Sequence, residues 1–410
     1  MSKVTDRNLI VGLDIGTAKV VAVVGEVLPD GAVSVVGVGS HASRGMDKGG
    51  VNDINLVIQS IQRAVEEAEL MSGCQISSVY IAISGRHIQC QNENGMVPIS
   101  EHEVTQDDVD NVIHTAKSVH LPAERRVLHV LPQDYSVDIQ EGIKSPIGMS
   151  GVRLEAKVHL VTCADDMSKN IVKCAERCGL RVDDLVFSAI ASSDSVLTDD
   201  EKELGVAVVD VGAGTIDLVI YVDGAIRHNA VIAVAGNQVT KDIAQIFRTP
   251  MSHAEQLKVQ YACAMRHMVS IEESIEVPSV GGRPARSMSR HTLAEVVEPR
   301  YQELFELVRE EISKSGLEDK IAAGIVLTGG TAKMEGAVEF AEDLFQMPVR
   351  LGSPVNLKGL TEYVDDPSYA TAIGLLHYGK DQINNQYANR VEDSSAGLWQ
   401  RIHSWFKGEF

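Results

Sequence analysis

An apolar strand running into Asp-x-Gly occurs twice in this chain, and that pair constrains the fold more than any other feature. Leu9-Ile10-Val11-Gly12-Leu13-Asp14-Ile15-Gly16-Thr17-Ala18-Lys19 enters a glycine turn, and Val20–Val27 reads as the returning strand. Gly205-Val206-Ala207-Val208-Val209-Asp210-Val211-Gly212-Ala213-Gly214-Thr215 does the same, with Ile216–Val222 returning. Asp210 and Gly212 follow Asp14 and Gly16 at a constant offset of 196 residues. One Asp-x-Gly carries little information; two in matching strand–turn–strand contexts indicate a duplicated architecture. Two unrelated hairpins with glycine turns are the plain alternative.

The residue types suit polyphosphate. Phosphate oxygens must approach backbone N–H groups closely, and a Cβ at the turn would obstruct them. Thr17 and Thr215 add hydroxyl donors. Asp14 and Asp210, at strand ends facing one cleft, are placed to hold Mg²⁺ through its water shell, with Asp217 a weaker candidate. No G-x-x-x-x-G-K-[ST] occurs, so a Walker-type site is excluded.

Around these loops, Val33–Val38 reads as a third strand. Asn52 and Asp53 offer caps to a helix carrying Ile54, Val57, Ile58, Ile61, Val65 and Ala68 at helical spacing, and Ser77–Ser84 returns to strand. With 410 residues the chain can fill two or more domains. A net charge of −20 argues against a nucleic-acid partner, which needs a basic footprint. The six cysteines are scattered without a C-x-x-C pair and read as reduced thiols of a cytosolic protein. Neither a signal peptide nor a bilayer-spanning stretch is expected.

The two loops resemble those of the actin superfamily, which includes actin, MreB, chaperone ATPases and sugar kinases. Ala323-Gly324-Ile325-Val326-Leu327-Thr328-Gly329-Gly330-Thr331 is similar to its adenosine motif. In Ser252-His253-Ala254-Glu255-Gln256-Leu257-Lys258, Ser252 is expected to cap a helix with Glu255 and Lys258 on one face. The resemblance implies that this Glu and Lys meet ribose and base; alone they would be an ordinary ion pair. Gly236 and Asn237 complete the expected nucleotide contacts.

Within that superfamily the chain resembles the FtsA family of bacterial cell-division proteins. Ser43-Arg44-Gly45-Met46-Asp47-Lys48-Gly49-Gly50-Val51, Val277-Pro278-Ser279-Val280-Gly281-Gly282-Arg283-Pro284 and Ile373-Gly374-Leu375-Leu376-His377-Tyr378-Gly379 carry the likeness. It implies an α/β, actin-like (ribonuclease H-like) duplicated fold. Subdomain 1A would take residues 1–84 and 161–203, and an inserted SHS2-like subdomain 1C residues 85–160. Subdomain 2A would take 204–226 and 302–379, and 2B residues 227–301. The 1C stretch carries strands at Val127–Leu131 and Lys157–Val161 and a polar helix around Thr105–Val119, so it reads as folded.

The resemblance further implies ATP and Mg²⁺ as ligands, self-assembly into filaments, and attachment of FtsZ filaments to the cytoplasmic face of the inner membrane at the division site. Later division proteins would meet the 85–160 insert. ATP-hydrolysing relatives place a Glu or Gln between the halves. Here the matching stretch reads Phe187-Ser188, with no carboxylate until Asp194. Phe cannot orient a water or take its proton, so no catalytic residue is assigned and hydrolysis is expected to be slow or absent. A small-molecule kinase of the same fold and a chaperone-type ATPase are the alternatives.

Arg283, Arg286, Arg290 and Arg300 lie within eighteen residues of an acidic protein. On charge alone they are a solvated loop and helix start. The resemblance implies docking of the FtsZ C-terminal tail here, for which Arg300 with Glu303 and the Arg283–Arg290 segment are candidates. Residues 380–395 are polar and read as a flexible tether to an amphipathic helix at 396–410. Leu398, Trp399, Ile402, Trp405, Phe406 and Phe410 fall within an arc of ~140°, and both tryptophans of the chain are among them. A helix docked on the core would share that pattern; concentrated Trp and Phe favour a lipid interface. Their gross burial of ~10 kcal/mol is largely consumed by ordering the helix, so one copy binds weakly and an array binds by avidity.

Overall fold

Each Asp-x-Gly loop turns out to join the first two strands of a sheet, and the two sheets share one strand order. The computed structural model describes residues 8–281 and 283–384. The six apolar residues read as a membrane-facing helix, Leu398 to Phe410, lie outside the described residues, as does most of the stretch read as a tether.

The first sheet opens with a meander of β1 (Leu9–Ile15), β2 (Lys19–Val27) and β3 (Val33–Ala42). A two-residue hairpin follows, β4 (Met46–Asp47) with β5 (Gly50–Val51). Helix α1 (Ile54–Ser72) begins where the Asp53 carboxylate accepts the N–H groups of Asn55 and Leu56, and stops at left-handed Gly73. Its Val57, Ile61, Ala64 and Ala68 are buried at helical spacing, as the periodicity predicts. Strand β6 (Ser78–Ile83) returns parallel to β1.

The insert is a separate α/β layer of β7 (Gln89–Pro98), α2 (Gln106–Lys117), β8 (Arg125–Val137), β9 (Gln140–Ile143) and β10 (Arg153–Ala164). Its sheet runs β7-β10-β8-β9. Thr105 and Asp108 form a reciprocal capping box on α2, whose Val109 and Val112 pack with Leu154 and Val158 into the insert's own core. Helix α3 (Asp165–Arg177), β11 (Arg181–Phe187), α4 (Ser188–Val196) and α5 (Asp199–Leu204) lead to the second half.

There β12 (Val206–Val211), β13 (Ile216–Val222) and β14 (Ala225–Ile232) repeat the meander. Helices α6 (Gly236–Phe247) and α7 (Met251–Tyr261), the hairpin β15 (Ser274–Val277) with β16 (Arg286–Ser289), and α8 (Arg290–Ser315) follow. Strand β17 (Ile325–Thr328), α9 (Ala337–Phe345), β18 (Val349–Leu351) and β19 (Leu357–Gly359) precede a final helix α10 spanning 370–384. None of the described helices is long and apolar enough to cross a membrane.

The second sheet reads β14-β13-β12-β17-β18 and the first β3-β2-β1-β6-β11, with β19 added beyond β3. In both, an antiparallel meander is extended by two strands parallel to the first. The duplication expected from the paired loops is therefore present strand for strand.

Several sequence boundaries move. Residues 227–232 complete β14, so they belong to the second sheet and not to the insert expected at 227–301. Strand β19 pairs with β3, and Ile373 and Leu376 of α10 pack on Ile10, Val21 and Val23, so the chain beyond about 357 rejoins the first half instead of ending in the second. Helix α10 runs to 384, into the stretch read as a tether from Lys380. Ser252 is not a cap: α7 starts one residue earlier, after Pro250, which presets the backbone but offers no side-chain acceptor.

The insert touches both halves. Beyond its covalent joins to the first, its sheet packs on β14 of the second. Arg227 pairs with Asp134 at 2.8 Å, Gln133 Nε2 donates to the Ile226 carbonyl at 2.8 Å, and Cys90 Sγ donates to the Asn229 carbonyl at 3.1 Å. The buried His159 ring has Asn229 Oδ1 2.7 Å from Nε2 and Asn92 Oδ1 2.7 Å from Nδ1.

Candidate functional site

Both Asp-x-Gly turns close with the same bond. Gly16 N–H donates to the Lys19 carbonyl at 3.1 Å, and Gly212 N–H to the Thr215 carbonyl at 2.9 Å. The turns face each other across a cleft of about 350 Å³. Asp14, Gly16, Thr17, Ala18 and Lys19 line one wall, and Asp210, Gly212, Ala213, Gly214 and Thr215 the other. Glu255, Lys258, Gly329, Gly330 and Thr331 line the same space, so fifteen of the seventeen expected nucleotide contacts converge.

Gly236 and Asn237 are the exceptions and do not line the cleft. Their N–H groups are spent on the carbonyls of Gly212 and Ala213, at 3.2 and 2.8 Å, and pin the start of α6 behind the second loop. Gly329 is required where it stands: its φ is +86°, and a Cβ there would collide with Asp210 Oδ1 and the Val211 carbonyl.

Three carboxylates line the floor, Asp210 and Asp217 buried and Asp14 half-buried. Asp14 is pushed up to about 7 by burial first and by the Asp210 charge second, with Lys19 opposing. Burial pushes Asp210 up to about 6, while hydrogen bonds from Thr371 and Ser192 hold it down. Asp217 is pushed up to about 8 by burial and by Asp210, against a 2.5 Å hydrogen bond from Ser84. Like charges without water favour protonation unless a cation joins them. Among the described residues no three His, Cys, Asp or Glu side chains converge as direct metal ligands. Hard carboxylate oxygens suit a hydrated Mg²⁺ held through its water shell.

At the other end Lys258 is buried and pairs with Glu255 at 2.8 Å; Thr240 Oγ1 donates to Glu255 at 2.5 Å. This is no ordinary surface pair: Lys258 Nζ also donates to the Gly236 carbonyl at 3.3 Å, tying α7 to α6. Lys19 Nζ donates to Ser368 Oγ at 2.9 Å and lies 3.7 Å from the centre of the Tyr369 ring.

Phe187 ends β11 fully buried, its N–H donating to His129 Nε2 at 2.9 Å, and Ser188 lines the cleft. Asp194 is engaged with Lys202 at 2.9 Å and does not line the cleft. Sequence reasoning missed Ser84, Lys333, Ser368 and Thr371, all cleft-lining. Asp366-Pro367-Ser368 is a helix-start signal, Asp366 capping Ser368 N–H with Pro367 first in the turn, and it could have pointed to the last two.

The arginines do not form one patch. Arg283 is exposed and makes no hydrogen bond or ion pair with any described residue, and Arg286 donates to the Phe247 carbonyl. Arg290 pairs with Glu273 and Glu335, and Arg300 with Asp242 and Glu303. Ten residues separate Arg290 from Arg300 on α8, about 15 Å along its axis.

The family model described as "Cell division protein FtsA" matches residues 207–374, and "SHS2 domain inserted in FTSA" matches 85–162. The chain is 60% identical to "Cell division protein FtsA" of Escherichia coli, with all of both chains covered, and 54% identical to that of Pseudomonas aeruginosa, again over both in full. Among solved structures it resembles "PilM-PilN type IV pilus biogenesis complex" at TM-score 0.64 and 17% identity, covering 90% of this chain and 98% of that one. It also resembles "Crystal structure of MreB5 of Spiroplasma citri bound to ADP" at TM-score 0.55 and 16% identity, covering 92% and 98%. These likenesses establish an actin-like fold. With its SHS2 insert, its paired loops and its full-length identity to curated relatives, the chain belongs to the FtsA family of cell-division proteins.

Proposed function

We propose that the cleft binds ATP with Mg²⁺ and that its occupancy controls assembly of a filament which ties FtsZ polymers to the membrane. The observation that carries this reading is the pair of facing Asp-x-Gly loops above a floor of three carboxylates. The MreB5 structure, whose description names bound ADP, supports a nucleotide in this fold. Asp14 and Asp210, helped by Asp217, would hold Mg²⁺ through water. The ion supplies neutralising charge to the phosphates. The Gly329–Gly330 backbone and the Glu255–Lys258 pair would receive the nucleoside.

Turnover is not what this cleft is built for. Phe187 offers no proton acceptor, and Asp194 is held by Lys202. Bound ATP therefore acts as an assembly ligand. The 85–160 insert serves self-association and later division proteins, and the α6–α8 region receives the FtsZ tail, with the exposed Arg283 among its cations. The helix read at 396–410 holds the filament on the inner face of the cytoplasmic membrane. Vesicle pelleting with ATP and FtsZ tail peptide tests the whole: sedimentation should depend on ATP and be lost in Trp405→Glu. Equal vesicle binding by a polymerisation-defective variant would refute coupling of assembly to attachment.

A further inference from the structure

A triphosphate brings more negative charge to a floor that already holds three carboxylates, yet the lysines lining the cleft are committed elsewhere. Lys19 is held by Ser368 and Tyr369, Lys258 by Glu255, and Lys333 by Asp366. Lys48 is different. It is exposed and makes no hydrogen bond or ion pair with any described residue.

Its position is set by backbone packing. Lys48 and Gly49 are the two-residue turn of the β4–β5 hairpin, with φ of +48° and +78°. A turn with both central residues left-handed normally takes Asn, Asp or Gly; a lysine there is strained. The turn is wedged between the halves. A Cβ on Gly214, in the second loop, would lie 3.1 Å from Lys48 Cα and would collide with Thr17 Oγ1. A Cβ on Gly49 would come within 2.5 Å of the Ser84 carbonyl and 3.0 Å of Gly85 Cα. Ser84 in turn donates to Asp217. Strained backbone kept at such a junction points to a task for the side chain.

We propose that Lys48 is the reader of the terminal phosphate: its ammonium binds the γ-phosphate of a nucleoside triphosphate and thereby fixes the hairpin turn against Gly214. The proposal rests on the nucleotide reading of the cleft. It assigns to one residue the difference between tri- and diphosphate, because a flexible stem rooted beside Gly214 reaches the end of the phosphate chain and forms a charge-assisted hydrogen bond there.

The test is equilibrium binding of ATP and ADP, each with Mg²⁺, to the full chain and to Lys48→Asn. Asparagine suits the turn, so the variant keeps the hairpin. ATP affinity should fall about tenfold, the scale of one charge-assisted hydrogen bond, with ADP changed less than about twofold and Lys48→Arg restoring ATP. Equal losses for both nucleotides, no loss for either, or the same loss in Arg44→Met, four residues away at the hairpin root, would overturn the proposal. A wild-type chain that binds neither nucleotide would instead remove the reading on which it rests.

Discussion

The His129–Phe187 bond gives a pH dependence that can be worked out in advance. His129 comes from β8 of the insert, is buried, and accepts the N–H of the residue that precedes cleft-lining Ser188. Burial pushes it from the usual 6.5 down to about 4, with Asp184 and Asp194 opposing weakly. A base whose folded pKa lies below its unfolded value carries no penalty above 6.5. As pH falls the unfolded chain gains a proton that the fold refuses, so stability declines from 6.5 until about 4. The full loss is about 3 kcal/mol, and at pH 5.8 it is about 1 kcal/mol.

The lower pH is chosen because the isoelectric point, near 5.1, invites self-association. Both tryptophans lie in the last twelve residues, outside the described residues, so melting is followed by far-ultraviolet circular dichroism. Comparing wild type with His129→Gln at pH 7.5 and 5.8 cancels the opposite contributions of Asp14, Asp210 and Asp217, common to both proteins. The wild type should lose about 1 kcal/mol relative to the variant, about 1–1.5 °C for a body this size. A stability difference identical at the two pH values would show that His129 already takes up its proton in the fold.

Two further outcomes follow from geometry. Gly214→Ala places a methyl group into Thr17 Oγ1 and forces the loops apart; calorimetric titration should give ATP affinity at least about tenfold weaker, since loop spacing sets phosphate contact. The Arg227–Asp134 pair, with side chains 20% and 12% exposed, should show a coupling of about 1–2 kcal/mol in a double-mutant cycle on thermal stability, and a value near zero would mean that the insert is only lightly held on β14.

What could be read in advance was whatever is local. Asp14-Ile15-Gly16 and Asp210-Val211-Gly212 are contiguous, so strand, turn and cleft-facing carboxylate were legible in a few residues each. The α1 cap at Asp53 and the capping box at Thr105 are legible for the same reason. Strand β14 was not. Its Arg227 and Asn229 look like the start of a polar insert, but they are polar because they face Asp134 and His159 across an interface. Arg290 and Arg300 looked free because their partners Glu335 and Asp242 are 45 and 58 residues away in sequence. Gly236 and Asn237 sat beside the right loop, yet which N–H groups a loop uses up depends on folding back, not on spacing.

The buried polar layer between the insert and β14 has a mechanical meaning. The insert is joined covalently to one half and seated on the other, like a hinge leaf screwed to both door and frame. It cannot follow one half alone. Any rotation that widens the cleft must either shear the Arg227–Asp134 and His159–Asn229 contacts or swing the insert with it. A rotation of one half against the other that keeps these contacts therefore also turns the outward face of residues 85–160.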